Sequence, residues 1–148
     1  MTQPPPATIP ISWEEFHRQS RALAEHIRGR GVWTRIIGIA RGGLVPAAIL
    51  AKELDIRVVE SICIASYDGQ VRGNVKILKG PNGGDGSDTI VVDDVADSGE
   101  TIRAVRALLP RAFFAAVYAK PAGKPLVDGF AVEIDQEGWL EFPWEPAP

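Results

Sequence analysis

Four short apolar runs, spaced along a chain of 148 residues, constrain the fold more than any other feature of the sequence. The runs lie at 35–40, 58–65, 89–92 and 113–119. Continuous apolar runs of this length are typical of strands buried on both faces, as the strands of parallel sheets are. Two weaker candidate strands lie at 75–78 and 130–134.

Helical patterns separate the apolar runs. They lie at 12–28, 44–54 and 101–109. Ser12 and Glu15 have the spacing of a capping box at the start of the first helix, and Asp97 and Glu100 have it before the third. Strands and helices in this alternation predict an α/β fold with an open, mostly parallel sheet flanked by helices.

The length of the chain is that of one compact domain, so we expect residues 1–148 to form a single domain. Both ends are rich in proline, and residues 1–11 and 146–148 are therefore expected to be flexible tails. The stretch 66–88 is rich in glycine and polar residues, which leaves two alternatives for it, a functional lid or a disordered segment.

Charge and composition argue against several classes of function. A formal net charge of −3 provides no overall basic field for nucleic acid or anionic lipid. The single cysteine, Cys63, excludes an internal disulfide, and His17 and His26 lack the spacing of a helical metal pair. We find no secretory signal and no apolar run near the ~20 residues that span a bilayer. We therefore expect a cytoplasmic protein that binds anionic ligands at a local site.

Polar residues follow the predicted strands at one edge of the sheet. Arg41 follows the first run and Lys120 follows the fourth. Asp93 and Asp94 follow the third run. In open α/β sheets the ligand lies beyond the carboxyl ends of the strands. The sequence therefore predicts a functional site that contains these four residues.

The segment 90–101 carries the most informative motif. Its strand delivers two adjacent carboxylates, and a short loop with Ser98 and Gly99 then opens onto a helix. A helix N-terminus with a glycine beside it suits a phosphate. The carboxylates suit the vicinal hydroxyls of a sugar, or a magnesium ion. The alternative is an acidic strand end before a well-capped helix, but like charges this close destabilise a fold unless something binds them.

Other loops also suit a nucleotide. Arg41-Gly42-Gly43 offers backbone N–H groups and a guanidinium to a second anion, although a plain turn can have the same sequence. Lys120 can only donate, so it would favour the carbonyl oxygen of a 6-oxopurine over the amino group of adenine. Trp139 could stack on a base while the backbone of Leu140 contacts its edge, although tryptophans near a chain end more often pack on the core.

The segment 90–101 resembles the binding motif of type I phosphoribosyltransferases, in which apolar residues precede two acids and a loop of the form Asp/Thr-Ser/Thr-Gly-x-Thr. Only Ala96 departs from it, where a larger aliphatic residue is usual. The resemblance extends from Trp13 to Trp144. It is most specific to the bacterial purine salvage members that act on xanthine and guanine, as in Ser66-Tyr67-Asp68 and in the segment 119–123.

This resemblance implies a fold, an activity and partners. The implied fold adds a flexible lid loop and a small C-terminal hood to the sheet. The implied activity transfers ribose-phosphate from phosphoribosyl pyrophosphate to guanine or xanthine, and less well to hypoxanthine, to give GMP, XMP or IMP and pyrophosphate. Mg²⁺ is the implied cofactor and a homotetramer the implied assembly. Besides the cytoplasmic location, the resemblance alone implies an alternative, which is peripheral attachment to the cytoplasmic face of the inner membrane.

The resemblance also implies roles for individual residues. Asp97, Arg41 and Lys120 would be catalytic, and Asp94 would bind the metal. The lid would begin at Ser66-Tyr67 and carry Arg72 as its basic residue, although the local spacing differs from the family's. In the family, the loop that matches 41–43 binds pyrophosphate, often with a non-proline cis peptide at its start. The implied substrate-binding residues are Arg41, Gly42, Arg72, Asp93, Asp94, Val95, Ala96, Asp97, Ser98, Gly99, Glu100, Thr101, Lys120, Trp139 and Leu140.

Three alternatives compete with this hypothesis. A sensing regulator with the same fold usually carries a DNA-binding module or a basic face, and neither is visible in this sequence. A signalling receiver domain also pairs an acidic doublet with a lysine, but Lys120 ends the very next strand and leaves no position for the acceptor aspartate. A related transferase for hypoxanthine or another base is the alternative that the sequence separates least well.

Overall fold

The computed structural model describes residue 4 and residues 7–66 and 75–145, which have an α/β architecture. The strands are β1 (Thr8–Pro10), β2 (Arg35–Ala40), β3 (Val58–Ser66), β4 (Val75–Lys79), β5 (Thr89–Ala96), β6 (Phe113–Ala119), β7 (Gly129–Glu133) and β8 (Trp139–Glu141). The helices are α1 (Trp13–Ile27), α2 (Leu44–Glu53) and α3 (Glu100–Leu108), with a short 3₁₀ helix at Lys124–Leu126. No helix in the described ranges is long and apolar enough to cross a membrane.

Six strands form one sheet in the order β4-β3-β2-β5-β6-β7. Every neighbouring pair is parallel except β3 and β4, which run antiparallel at one edge. This order places β2, β5 and β6 side by side in the centre, so their carboxyl ends meet at the same edge of the sheet. The predicted α/β fold with an open, mostly parallel sheet flanked by helices is confirmed.

Helices cover both faces of the central strands. Ile36 of β2 is fully buried in a cluster with Phe16 of α1 and Leu50 of α2. The next residue, Ile37, belongs to a second buried cluster, which contains Val105 of α3. Successive side chains of a strand point to opposite faces, so both faces of these strands are buried. This packing fixes the ends of the strands, where the polar residues lie.

The N-termini of α1 and α3 are formed in different ways. Ser12 caps α1 as predicted, because its hydroxyl accepts a hydrogen bond of 3.0 Å from the N–H of Glu15. The prediction that Asp97 caps the third helix is wrong. That helix begins at Glu100, and its N-cap residue is Gly99, which has a φ of 86° and no side-chain cap. The carboxylate of Asp97 instead accepts hydrogen bonds from Lys120 and Gln136.

The N-terminal segment is better ordered than its proline content predicts. Thr8–Pro10 forms β1, which pairs in parallel with β8. The following residue, Ile11, is only 5% exposed and donates its N–H to the carbonyl of Glu141 at 2.9 Å. The prediction of a flexible tail over 1–11 is therefore wrong for 8–11. Apolar side chains at Ile9 and Ile11 pack against the core and outweigh the proline content of this segment. Residues 146–148 lie outside the described ranges.

Replacing Tyr118 by phenylalanine is expected to leave the protein as stable as before or to stabilise it by up to about 1 kcal/mol. Tyr118 is 2% exposed, and its hydroxyl has no hydrogen-bond partner among the described residues. Its ring packs against Phe16 and Phe142, and a phenylalanine keeps those contacts. Urea unfolding measures the change, with Tyr118→Leu as a control that removes the ring and should destabilise. A loss of more than about 1 kcal/mol for Tyr118→Phe would mean that the hydroxyl has a partner.

Candidate active site

Two carboxyl groups lie side by side at the end of β5. The strand continues beyond its predicted end at Val92, so Asp93 and Asp94 lie within it and are half-buried. Asp93 Oδ1 accepts the N–H of Asp94 at 2.8 Å, and Asp94 Oδ1 accepts the N–H of Val95 at 2.7 Å. Each carboxyl group thus has one oxygen bonded to the backbone and further lone pairs that no backbone N–H occupies.

Burial and mutual proximity disfavour the ionised forms of these two carboxyl groups. Burial raises the pKa of Asp93 well above its ordinary value, and the neighbouring Asp94 raises it further. Burial also raises the pKa of Asp94, against hydrogen bonds from Asp93 and from the backbone of Val95 that lower it. A cation or a pair of hydroxyl donors would relieve this cost, because either one stabilises the ionised form.

The loop after β2 lies against this acidic pair. The peptide bond between Ala40 and Arg41 is cis, which agrees with the geometry that the resemblance implies. A Cβ placed on Gly42 would collide with the carboxyl group of Asp94. A Cβ on Gly43 would collide with the carbonyl oxygen of Val92. The backbone of this loop can therefore approach β5 only because both positions are glycine, and Arg41 lies exposed at its start.

The loop between β5 and α3 has the features of an anion site. Gly99 adopts the left-handed region, and a Cβ there would also collide with Leu126. The first N–H groups of a helix have no carbonyl partner within the helix, and they carry its partial positive charge. Ser98 is exposed beside them, and its hydroxyl accepts a long hydrogen bond of 3.4 Å from the backbone N–H of Glu100. An anion on this loop would meet N–H donors and a hydroxyl.

Lys120 and Asp97 form an ion pair across the ends of β5 and β6. Lys120 Nζ lies 3.2 Å from Asp97 Oδ2, and the exposed fractions of the two side chains are 8% and 56%. The backbone N–H of Lys120 donates to the carbonyl of Ala96 at 2.9 Å. A buried ammonium group is costly without a partner, so Asp97 balances the charge of Lys120 in this state.

A third residue, Gln136, completes this arrangement. Its Nε2 donates to Asp97 Oδ1 at 3.0 Å, and its Oε1 accepts the N–H of Ala122 at 2.8 Å. No motif marks Gln136 in the sequence, since its contact depends on how the connection between β7 and β8 folds back over the ends of β5 and β6.

A pocket of about 170 Å³ opens beside the ion pair. Its lining residues are Asp94, Val95, Asp97, Lys120, Trp139, Leu140, Phe142 and Glu145. The side chain of Trp139 is 61% exposed, whereas Leu140 is buried. The pocket therefore combines an ammonium donor, a carboxylate acceptor and an exposed aromatic face. Larger clefts lie along α1 and α2, and their lining includes none of the residues predicted for the site.

Most of the predicted site residues lie at this edge of the sheet. The structure brings Gly42 against Asp94, and it brings Lys120, Trp139 and Leu140 to the pocket. Arg72 lies outside the described residues, as does the stretch 67–74 of the predicted lid. The sequence did not predict Phe142 and Glu145, which line the pocket, or Gln136, which donates a hydrogen bond to Asp97. The aromatic segment near the C-terminus was the available signal for Phe142 and Glu145.

Comparisons with known proteins show the family and the fold of this chain. The sequence profile of the phosphoribosyl transferase domain matches residues 12–148. A purine phosphoribosyltransferase from Pyrococcus horikoshii is 30% identical, with a TM-score of 0.81 over 95% of this chain and 96% of that one. A xanthine-guanine-hypoxanthine phosphoribosyltransferase from Helicobacter pylori is 27% identical, with a TM-score of 0.77 over 93% and 94% of the two chains. A Neisseria gonorrhoeae protein solved with bound ppGpp is also 27% identical, with a TM-score of 0.79 over 97% and 92%. The chain thus belongs to the phosphoribosyltransferase family of pentosyltransferases and has the α/β fold of its purine-specific members.

Proposed function

We propose that this protein is a xanthine-guanine phosphoribosyltransferase of purine salvage. It would transfer the phosphoribosyl group of phosphoribosyl pyrophosphate to guanine or xanthine, and less efficiently to hypoxanthine, with release of pyrophosphate. The observation that carries this proposal is the ion pair of Lys120 and Asp97 in a pocket with Trp139 at its wall.

The ion pair suits one edge of a 6-oxopurine. Lys120 has donors and no acceptor, so it would bind the 6-oxo oxygen and would not bind the amino group of adenine. Asp97 lies 3.2 Å from Lys120, so it would face the adjacent N7 position. The exposed ring of Trp139 offers a stacking surface, and the backbone of Leu140 lies beside it. Together these groups would favour guanine, xanthine and hypoxanthine over adenine.

The donor would occupy the groups along the ends of β2 and β5. The loop 97–101 would bind the 5′-phosphate through its N–H groups and hydroxyls. Asp93 and Asp94 would accept hydrogen bonds from the two ribose hydroxyls. Arg41 and the backbone N–H of Gly42 would bind pyrophosphate, and Gly42 already lies against Asp94. This arrangement would place C1 of the ribose near the pocket of the base.

A magnesium ion fits the acidic pair. No group of three or more His, Cys, Asp or Glu side chains could hold a metal ion among the described residues. Mg²⁺ needs no such group, because it usually keeps several waters and binds one or two carboxylates together with substrate phosphates. The raised pKa values of Asp93 and Asp94 support a cation here, with Asp94 as a direct ligand. When bound, the ion would neutralise charge on pyrophosphate.

The chemistry requires one bond to break, one to form and one proton to move. The bond between C1 and the pyrophosphate oxygen breaks, and negative charge builds on pyrophosphate, where Arg41 and the N–H of Gly42 stabilise it. The purine forms a new bond from N9 to C1. Asp97 accepts the proton that the purine loses at N7. Lys120 draws electron density to the 6-oxo oxygen and so makes that proton easier to lose.

A spectrophotometric assay tests this proposal directly. It contains the protein, phosphoribosyl pyrophosphate, Mg²⁺ and one of four bases: guanine, xanthine, hypoxanthine or adenine. Turnover of the 6-oxopurines with adenine inert is the expected result, with guanine and xanthine ahead of hypoxanthine. Tight binding of the donor without turnover of any base would instead indicate a sensing regulator.

Donor binding should weaken as the pH falls. The pKa values of Asp93 and Asp94 are raised, so protons compete with Mg²⁺ and with ribose hydroxyls for their oxygens at a higher pH than for ordinary aspartates. Calorimetric titration of the donor with Mg²⁺ from about pH 8 to about pH 5 should show a progressive loss of affinity. The same titration of Asp93→Asn/Asp94→Asn should show weak binding with a smaller pH dependence, which remains because the second pKa of the donor's phosphate is about 6. An affinity of the unsubstituted protein that is constant across this range would argue against the acidic pair as the donor site.

A further inference from the structure

The side-chain amide of Gln136 joins the loops that follow β5 and β6. Gln136 is half-buried in the connection between β7 and β8. Its Oε1 accepts the N–H of Ala122 at 2.8 Å, and its Nε2 donates to Asp97 Oδ1 at 3.0 Å. The residue therefore connects the base-side carboxylate to the backbone of the neighbouring loop.

Hydrogen-bond chemistry fixes the orientation of this amide. The backbone N–H of Ala122 can only donate, so the oxygen end of Gln136 has to face it. The nitrogen end then faces Asp97, whose ionised carboxylate can only accept. Lys120 donates to the other oxygen, Oδ2, at 3.2 Å. Both oxygens of Asp97 thus have a donor, one on Gln136, which is itself bonded to the backbone of Ala122, and one on the side chain of Lys120.

The loop after β6, whose Ala122 donates to Gln136, is itself anchored. Ala122 precedes Gly123, which lies so close to Ala96 that a Cβ would collide with its carbonyl oxygen. Gly123 donates its N–H to the carbonyl of Lys120 at 3.0 Å, and Lys120 donates its own N–H to Ala96 at 2.9 Å. Gln136 therefore ties Asp97 to a rigid junction, and this tether does not depend on the side chain of Lys120.

We propose that Gln136 is a positioning residue that holds Asp97 through Oδ1 while Oδ2 accepts the purine proton. This inference rests on the proposed function. Lys120 has three N–H donors, so it can turn one of them to the 6-oxo oxygen of an entering base, and its ammonium group is then shared between the base and Asp97. The hydrogen bond from Gln136 to Oδ1 is a contact of Asp97 for which the base does not compete. Oδ2 has a second lone pair beside the one that faces Lys120, and this lone pair can accept the N7 proton.

Two substitutions of Gln136 remove the tether in different ways. Gln136→Leu keeps a similar volume without hydrogen bonds, and Gln136→Glu keeps the shape but places an oxygen against Asp97. We expect kcat for guanine to fall roughly tenfold for Gln136→Leu and further for Gln136→Glu, because a misplaced proton acceptor slows transfer. The KM for phosphoribosyl pyrophosphate should stay unchanged, since the donor site does not include Gln136. Glu137→Gln, at the exposed next position, is the matched control and should turn over normally.

A double-mutant cycle separates positioning from general support of the fold. In an Asp97→Ala background, adding Gln136→Leu should change the residual kcat by less than about twofold, since the group that Gln136 holds is gone. Two results would overturn the positioning role while the proposed function stands. One is a loss of kcat on adding Gln136→Leu to Asp97→Ala that is as large as the loss in the protein with Asp97. The other is a normal kcat in both Gln136→Leu and Gln136→Glu. Failure of the unsubstituted protein to turn over any 6-oxopurine would overturn both.

Discussion

Replacing Asp97 by asparagine lowers kcat for guanine by about 10²- to 10⁴-fold, whereas the affinity for phosphoribosyl pyrophosphate changes by less than about threefold. Asparagine has nearly the same size but cannot take the N7 proton. Its amide also has only one acceptor end, so it cannot accept from Lys120 and Gln136 together as the carboxylate does. The loop 97–101, which we propose binds the 5′-phosphate, offers mainly backbone N–H groups, and these remain in the variant.

A surface ion pair provides the matched control for this substitution. Lys124 Nζ lies 3.3 Å from Glu133 Oε1, and about half of each side chain is exposed. Glu133→Gln removes a lysine–carboxylate contact of nearly the same length that does not line the pocket, so kcat should not change. Steady-state kinetics and donor titration are measured for both variants. Equal losses of turnover and donor binding in Asp97→Asn would contradict a role for Asp97 in proton transfer.

Replacing Gly42 by alanine is expected to weaken donor binding by about 10²-fold, because a shift of about 1 Å in the groups of a site can cost that factor. The added methyl group would collide with the carboxyl group of Asp94. Either the loop of Arg41 or the carboxyl group has to move, and in the proposed function the donor binds both. The Kd for phosphoribosyl pyrophosphate with Mg²⁺, measured by calorimetry, is the quantity to compare.

Gly80→Ala is the control for the general cost of replacing a glycine. A Cβ at Gly80 would meet no atom within 4 Å, and its φ lies outside the left-handed region. This variant should bind the donor as the unsubstituted protein does. Normal donor affinity in Gly42→Ala, with the protein folded, would mean that the loop after β2 does not contact pyrophosphate.

The positions of the strand ends were predictable because strong apolar patterns specify them. The runs at 35–40 and 113–119 match β2 and β6, so Arg41 and Lys120 could be placed at one edge of the sheet from sequence alone. The end of β5 was predicted too early, because Asp93 and Asp94 interrupt the apolar pattern while the backbone continues as a strand to Ala96. A polar residue inside a strand thus conceals the true end of that strand.

Contacts between distant segments were not predictable. The pairing of β1 with β8 joins residues near opposite ends of the chain, and no local pattern specifies it. The role of Asp97 as a cap was predicted from correct local spacing, yet Lys120 and Gln136 bind its carboxylate instead. Gln136 could not have been predicted, because its two partners are 14 and 39 residues away. These contacts depend on tertiary packing, which local sequence patterns do not specify.

The most direct test of the central claim is a crystal structure of the protein with GMP bound. The claim is that the pocket at the ends of β5 and β6 holds the purine and that the loop 97–101 holds the phosphate. The expected structure has the 6-oxo oxygen within hydrogen-bond distance of Lys120 Nζ, the base against Trp139, and Asp97 still bonded to Gln136. A nucleotide bound elsewhere, with Lys120 and Asp97 paired as in the unliganded protein, would contradict the assignment of this site.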